Sequence, residues 1–199
     1  MNHLAHALIA VRTETSLVGN LLGDFVKGRP EDRYEGELLR GIRTHRAVDA
    51  FVEDHPVFAR SRARIAPERR RFAGVLVDLA YDHVLARDWR RFGDGTLRQF
   101  ADRVYAALAD AKDDLPQEMH GFVSYMTSTD LLFAYSERDG IARALRGMSS
   151  RMRRANPLAE GIQDVDRAGK ELTRDFDELF PLVVAAARRS ANVTGGGTE

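Results

Sequence analysis

The sequence predicts an all-α, single-domain helical bundle, and three observations carry that prediction. No stretch alternates apolar and polar residues over the length of a strand. Apolar residues recur instead at helical spacing, as Val48, Phe51 and Val52 in one segment and Phe72, Val75, Leu76 and Leu79 in another. The 199 residues, 44% of them hydrophobic, suffice for one buried core and do not call for two. Residues 1–192 therefore read as one helical domain, and the Gly-rich stretch 193–199 as a disordered tail.

Taken in order, residues 1–12 form a short, largely buried helix carrying His3 and His6. A histidine in such a setting more often satisfies the core than binds a ligand. Thr13 to Ser16 cap the next segment, whose apolar face is Leu17, Val18, Leu21 and Leu22. Gly19 and Gly23, on either side of Asn20, each cost a helix about 1 kcal/mol relative to alanine. They mark a bend or a close backbone approach beside Asp24, or a helix end with Gly28 as its cap. Arg29 to Arg33, around Pro30, is a polar loop. From Tyr34 a helix runs through Leu38 and Leu39 to about Asp54, because Pro56 disfavours a helical His55. Within it His45 and Asp49 stand four apart on one face. They form either an exposed i,i+4 pair or a site in which both groups serve a divalent metal.

Phe58 to Arg71 is dense in arginine: Arg60, Arg62, Arg64, Arg69, Arg70 and Arg71. Such a run is either a solvated face or a dock for an acidic partner, since guanidinium groups grip carboxylates and phosphates bidentately. The helix from Phe72 to Arg91 follows. Its apolar stripe places Asp82 between Val75 and Leu79, Asp78 at one edge and His83 at the other. Burying unpaired carboxylates is costly, so either a metal ion or a paired arginine should hold these two. The remainder reads as helices over 95–111, 116–135, 138–154 and 166–189, with Asp130 as an N-cap or an inward acid.

Thirty basic and thirty acidic residues cancel, so the chain has no global drive toward nucleic acid or membrane. It has no cysteine, which excludes disulfides and thiolate chemistry and fits the cytoplasm. The apolar run from Leu182 to Ala187 is far shorter than the roughly 20 residues that span a bilayer, and no signal peptide is apparent. The phosphate-binding GxxxxGK[ST], the dinucleotide GxGxxG, the nucleophile elbow GxSxG and the zinc motif HExxH are all missing. What remains is a set of histidines and aspartates on separate helices: Asp24, His45, Asp49, Asp78, Asp82 and His83. Carboxylate-rich sets of this kind suit manganese or magnesium, and such ions assist phosphoester hydrolysis.

Four ordered motifs carry a resemblance that spans essentially the whole chain. They are Met1-Asn2-x-Leu4-Ala5-His6; Gly19-Asn20-Leu21-Leu22-Gly23-Asp24-Phe25-Val26-Lys27-Gly28; Gly41-Ile42-x-x-His45-Arg46-x-Val48-Asp49-x-Phe51-x-x-Asp54-His55-Pro56; and Asp78-x-x-x-Asp82-His83-x-Leu85-x-x-x-Trp89. In these the chain resembles the acyl carrier protein phosphodiesterases. The resemblance implies a catalytic domain that removes the 4′-phosphopantetheine arm from holo-acyl carrier protein, with a divalent metal, manganese first and magnesium second. It also implies a distant likeness to the all-α HD-type phosphohydrolases. The chain has only the reversed Asp82-His83 and no His-Asp dipeptide, so the HD ligand scheme does not transfer residue by residue.

Helix faces guided by these motifs give a metal set of Asp24, His45, Asp78, Asp82 and His83, with Asp24, His45, Asp49 and Asp82 as the catalytic groups. Asp49 is a ligand or orients one. Lys27 and Arg46 are expected on the phosphate, and Arg69 and Arg70, with the rest of their run, against the acidic carrier protein. His6, Asn20, His55 and Asp130 form a second rank. Two other readings stand beside this one: an HD-like phosphohydrolase of a small nucleotide, and a non-catalytic helical adaptor for an acidic protein.

Overall fold

A computed structural model describes residues 1–195. Ten α-helices follow one another among the described residues: α1 (His3–Arg12), α2 (Leu17–Leu22), α3 (Gly36–Glu53), α4 (Pro56–Ala63), α5 (Ala73–Arg87), α6 (Leu97–Asp110), α7 (Gln117–Ser128), α8 (Leu131–Ala134), α9 (Arg138–Ser150) and α10 (Ile162–Gly195). Short 3-10 turns join several of them, including Gly23–Phe25 and Pro67–Phe72, and no strand occurs among the described residues. None of the described helices is long and apolar enough to cross a membrane.

The core forms around α5, which α1, α4, α9 and α10 cover. Leu76, Val77, Leu79, Ala80, Tyr81, Asp82, Val84, Leu85 and Ala86 are all buried, so α5 has no single inner stripe. Val75, expected on that stripe, is 40% exposed. A helix covered on most sides offers no clean 3.6-residue pattern from which to read a direction. By contrast, α10 is strongly one-sided and buries Leu172, Phe176, Leu179, Phe180, Val183 and Ala187. It runs through Pro181, which lacks the N–H for one helical bond. It also continues to Gly195, so residues 193–195 of the expected tail are helical, and 196–199 lie outside the described residues.

Two glycines set the distance between α2 and α3. A Cβ on Gly19 would lie 2.5 Å from the Leu38 carbonyl oxygen, and one on Gly41 would lie 2.6 Å from that of Ser16. The two backbones are therefore in contact, as the glycines around Asn20 suggested. The helix end lies earlier than Gly28, because α2 stops at Leu22 and passes into the turn that carries Asp24. Asn20 is buried and donates to Thr15 Oγ1 and the Ser16 carbonyl, fastening the start of α2. The α3 boundary follows the proline as expected, and His55 caps α4 by accepting from the Val57 amide at 3.2 Å. The stretch 116–135 is broken: Asp130 takes a left-handed conformation (φ 50°) between α7 and α8 and pairs with Arg98 at 2.5 Å.

The arginine run serves the inside of the protein. Arg69 donates to Asp164 at 2.6 Å, with only 5% and 1% of the two residues exposed. Arg60 and Arg64 both hold the buried Asp175, at 2.8 and 2.9 Å, and Arg62 pairs with Glu53. Those to Asp164 and Asp175 clamp α4 and the turn after it onto α10. Arg69 is thus not a docking residue, since its guanidinium is buried against a carboxylate nearly a hundred positions away, while Arg70 and Arg71 stay exposed. Removing one partner of a buried pair strands the other, so Asp164→Ala should cost about 3 kcal/mol. Thermal melts should show a fall in Tm of roughly 6–12 °C. An unchanged Tm would contradict this role for Arg69.

Candidate metal centre

Three elements bring the polar cluster together. Helix α1 contributes His3 and His6, three apart on one face. Helix α3 contributes His45 and Asp49, four apart on one face, and the turn after α2 contributes Asp24. Gly23 admits the His45 ring, because a Cβ there would lie 2.3 Å from it. The His6 and His45 rings stack with centroids 3.9 Å apart. Both present Nε2 to one carboxylate: His6 to Asp49 Oδ1 at 3.0 Å, His45 to Asp49 Oδ2 at 3.1 Å. The second neighbour of His45 Nε2 is Asp24 Oδ1 at 3.4 Å, and Asp24 Oδ2 lies 3.7 Å from His3 Nδ1. The N-terminal ammonium of Met1 lies 3.4 Å from Asp49 and 3.1 Å from Asp78.

His6, His45 and Asp49 offer ligand atoms that all lie within 4.8 Å of one another, and among the described residues they are the group that fits a divalent metal. Two imidazoles and a carboxylate make a suitable donor set. The protonation states support the fit. Burial opposes a charge on His45, but hydrogen bonds to Asp24 and Asp49 outweigh it and raise the ring to about 9. In the metal-free protein a proton between two carboxylates therefore stands where a cation would. Burial, and then the charged His45, lower His6 to about 4, and burial lowers His3 to about 4. Asp49 is buried enough to disfavour its charge, yet its hydrogen bonds to His45 and His6 hold it well below the usual carboxylate range. Asp24 is lowered against its burial in the same way, by His45 first. An open cleft of about 430 Å³, lined by Met1, Asp24, Asp49, Phe58 and Asp78 among others, leads to this cluster from solvent.

Of the residues expected from the sequence, the structure brings Asp24, His45 and Asp49 together and adds His6 from the second rank. Asp78 lies at the edge of the group, and burial raises its pKa while the Met1 ammonium opposes the rise. Asp82 is engaged elsewhere, for its two oxygens accept from the Leu4 and Ala5 amides at 2.8 and 3.0 Å, deep in the core. The sequence pointed to a metal or an arginine for these two acids; an ammonium and the end of a helix hold them instead. His83 turns away, with Nδ1 2.7 Å from the Tyr135 carbonyl, and lines a separate cavity of about 240 Å³ with Ala80, Val84 and Ile141. Arg46 donates to the Val26 and Gly28 carbonyls, tying down the loop that exposes Lys27. His3 and the Met1 ammonium are additions that sequence reasoning misses. The His3-x-x-His6 spacing is the available signal for the first, but the ammonium leaves none in a residue pattern.

Comparison with known proteins agrees in one direction. The family model described as acyl carrier protein phosphodiesterase matches residues 1–183. Acyl carrier protein phosphodiesterases from Escherichia coli strains, K12 / DH10B and O157:H7 among them, are 33% identical over 192 residues, 96% of this chain and 100% of theirs. No solved structure matches the chain.

In chelator, proton NMR should show one histidine titrating near pH 9 and two near pH 4. His45 holds its proton more tightly folded than unfolded, so its contribution is full below about 6.5 and is lost as pH rises toward 9. His45 titrating near 6.5 would remove the argument from the two carboxylates. Gly23→Ala should drive the His45 ring from Asp49 and weaken metal binding by roughly tenfold or more, on the scale seen when ligand supports are lost, while circular dichroism stays unchanged. Undiminished metal affinity would show that the ring does not depend on this gap.

Proposed function

The chain belongs to the acyl carrier protein phosphodiesterase family, and on that premise we propose that it hydrolyses the phosphodiester joining 4′-phosphopantetheine to a serine of holo-acyl carrier protein, leaving the apo-protein. The observation that carries the reading is the meeting of His6, His45 and Asp49, with Asp24 beside them and with Asp24 and Asp49 lining an open cleft. These three residues would hold the ion, and Asp24 is placed to complete the set or to act next to it. We propose manganese, because two imidazoles among carboxylates suit it better than magnesium, which prefers oxygen alone. Such an ion, when bound, supplies a lowered pKa for water and neutralises charge on phosphoryl oxygens.

The chain's own groups account for the rest. Asp24 is 46% exposed on its side chain and ionised, so it can orient a water and accept its proton. The new bond forms between that water oxygen and phosphorus. The bond from phosphorus to the serine oxygen breaks, and the serine oxygen takes up a proton from solvent in the cleft. His3 stays neutral and steadies Asp24 from the other side. Lys27, exposed on the loop that Arg46 braces, is placed to meet the phosphate. The absence of cysteine fits a cytoplasmic setting.

Mass spectrometry of holo-acyl carrier protein incubated with enzyme and manganese tests the reading, since loss of the arm is one discrete mass change. His45→Ala and His6→Ala should each lower kcat by roughly a hundredfold or more, and excess chelator should abolish turnover of the wild type. Because a proton occupies His45 below about pH 9, metal affinity should rise with pH between 6.5 and 9, by about tenfold per unit. Full activity in chelator, or turnover of small nucleotides with none on the carrier protein, would overturn the proposal.

A further inference from the structure

Between Asp139 and Glu160 the chain carries five arginines and no acid: Arg143, Arg146, Arg151, Arg153 and Arg154. All five are exposed. At 100° per residue Arg143 and Arg146 of α9 and its C-cap residue Arg151 fall within about 140° of one another on the outer flank, and Arg153 and Arg154 follow in the turn after it. The contrast with the arginine run of α4 is physical. There Asp164, Asp175, Glu178 and Glu53 take up the guanidinium groups. Here, among the described residues, the side chains of Arg143, Arg146, Arg153 and Arg154 have no acid and no hydrogen-bond acceptor. Five like charges left together in a chain of zero net charge are unfavourable to the folded state by themselves.

The patch is joined to the metal centre by α7. The His3 ring, beside Asp24, packs on Phe122 with centroids 4.6 Å apart. Tyr125 lies one turn further along the same helix, and the Arg151 guanidinium stands over its ring at 5.3 Å. Met152, 39% exposed, adds an apolar contact in the middle of the arginines. A surface that alternates guanidinium groups with an exposed thioether fits carboxylates arranged around an apolar spot, as on an acidic helical protein.

We propose that Arg143, Arg146, Arg151, Arg153 and Arg154 form the docking surface for the acidic face of the protein substrate, which then reaches the metal centre along α7. The surface rests on the phosphodiesterase reading for the identity of its partner, and it replaces the Arg60–Arg71 run as the place where that partner sits. Arg146, Arg153 and Arg154 hold no internal contact that reversal would break, so variants at these positions should fold.

The test is direct binding of apo-acyl carrier protein to the full chain, measured by fluorescence anisotropy at low and high salt, alongside turnover of the holo form. The triple variant R146E/R153E/R154E should raise Kd and KM by roughly tenfold or more, with kcat nearly unchanged and the salt dependence flattened. R70E/R71E, at the rival location, should change either constant by less than about threefold. Equal binding by wild type and triple variant would overturn the surface, as would a larger loss in R70E/R71E. Equally tight capture of a short double-stranded RNA, lost in the same triple variant, would overturn it in favour of a polyanion site. If binding behaves as expected but the holo form keeps its arm, the surface stands and the hydrolase reading falls.

Discussion

The carboxylate of Asp82 is the constraint on which the site depends. It is fully buried at the centre of α5, and burial raises it to about 7, opposed by two amides at the N-terminus of α1. The first amides of a helix have no partner within it, and the helix dipole favours an anion at that end. The residue preceding α1, Asn2, leaves the role vacant because its side chain donates to the Tyr135 hydroxyl instead. Asp82 supplies the missing acceptor from another helix, and so locks the angle at which α1 meets α5. That angle carries His3 and His6 over α3 and brings Met1 beside Asp78. A metal ligand at position 82 would have left the α1 amides unsatisfied in the core.

Around this fixed corner the protein accumulates charge that the folded state does not need. Asp24, Asp49 and Asp78 stand within reach of one another, and the charged groups beside them are a protonated His45 and an ammonium. His6, buried, and His3, half-buried, remain neutral next to them, because burial outweighs the pull of the nearby carboxylates. A cluster selected for stability alone would replace these groups with apolar ones of similar size. Such local conflict is expected where binding of a cation supplies the missing interactions.

How much of this the sequence makes legible differs from residue to residue. Pro56 marks the end of α3, because a proline acts on its immediate neighbour. The i,i+4 relation of His45 and Asp49 is legible because helix geometry alone places both on one face. For Asp82 and Asp78 the pattern points inward correctly, but it points to a metal or an arginine where the structure has an amide pair and an ammonium. Burial of a carboxylate follows from apolar neighbours in sequence, whereas its partner is decided by what packs across the core. His6 ranks low for the same reason, since only the fold brings α1 over α3. The interruption at Asp130 escapes the pattern because the apolar spacing continues through a residue whose backbone turns left-handed.

Charge runs show the same limit most plainly, and they also show how the fold resolves it. The two arginine-rich stretches look alike as sequence, yet their fates diverge because most of the acids that answer them lie elsewhere, on α10. Asp164, Asp175 and Glu178 face α4 and the turn after it; Asp166 reaches Arg138 at the start of α9, and Asp177 reaches Arg91. Beyond Arg138 this acidic row pairs with no arginine of α9, and among the described residues no acid pairs with Arg143, Arg146, Arg153 or Arg154. A buried ion pair needs both members, and the chain supplies both for the run that braces the core. For the run at the end of α9 the described residues supply only the cations, which leaves the matching anions to a partner.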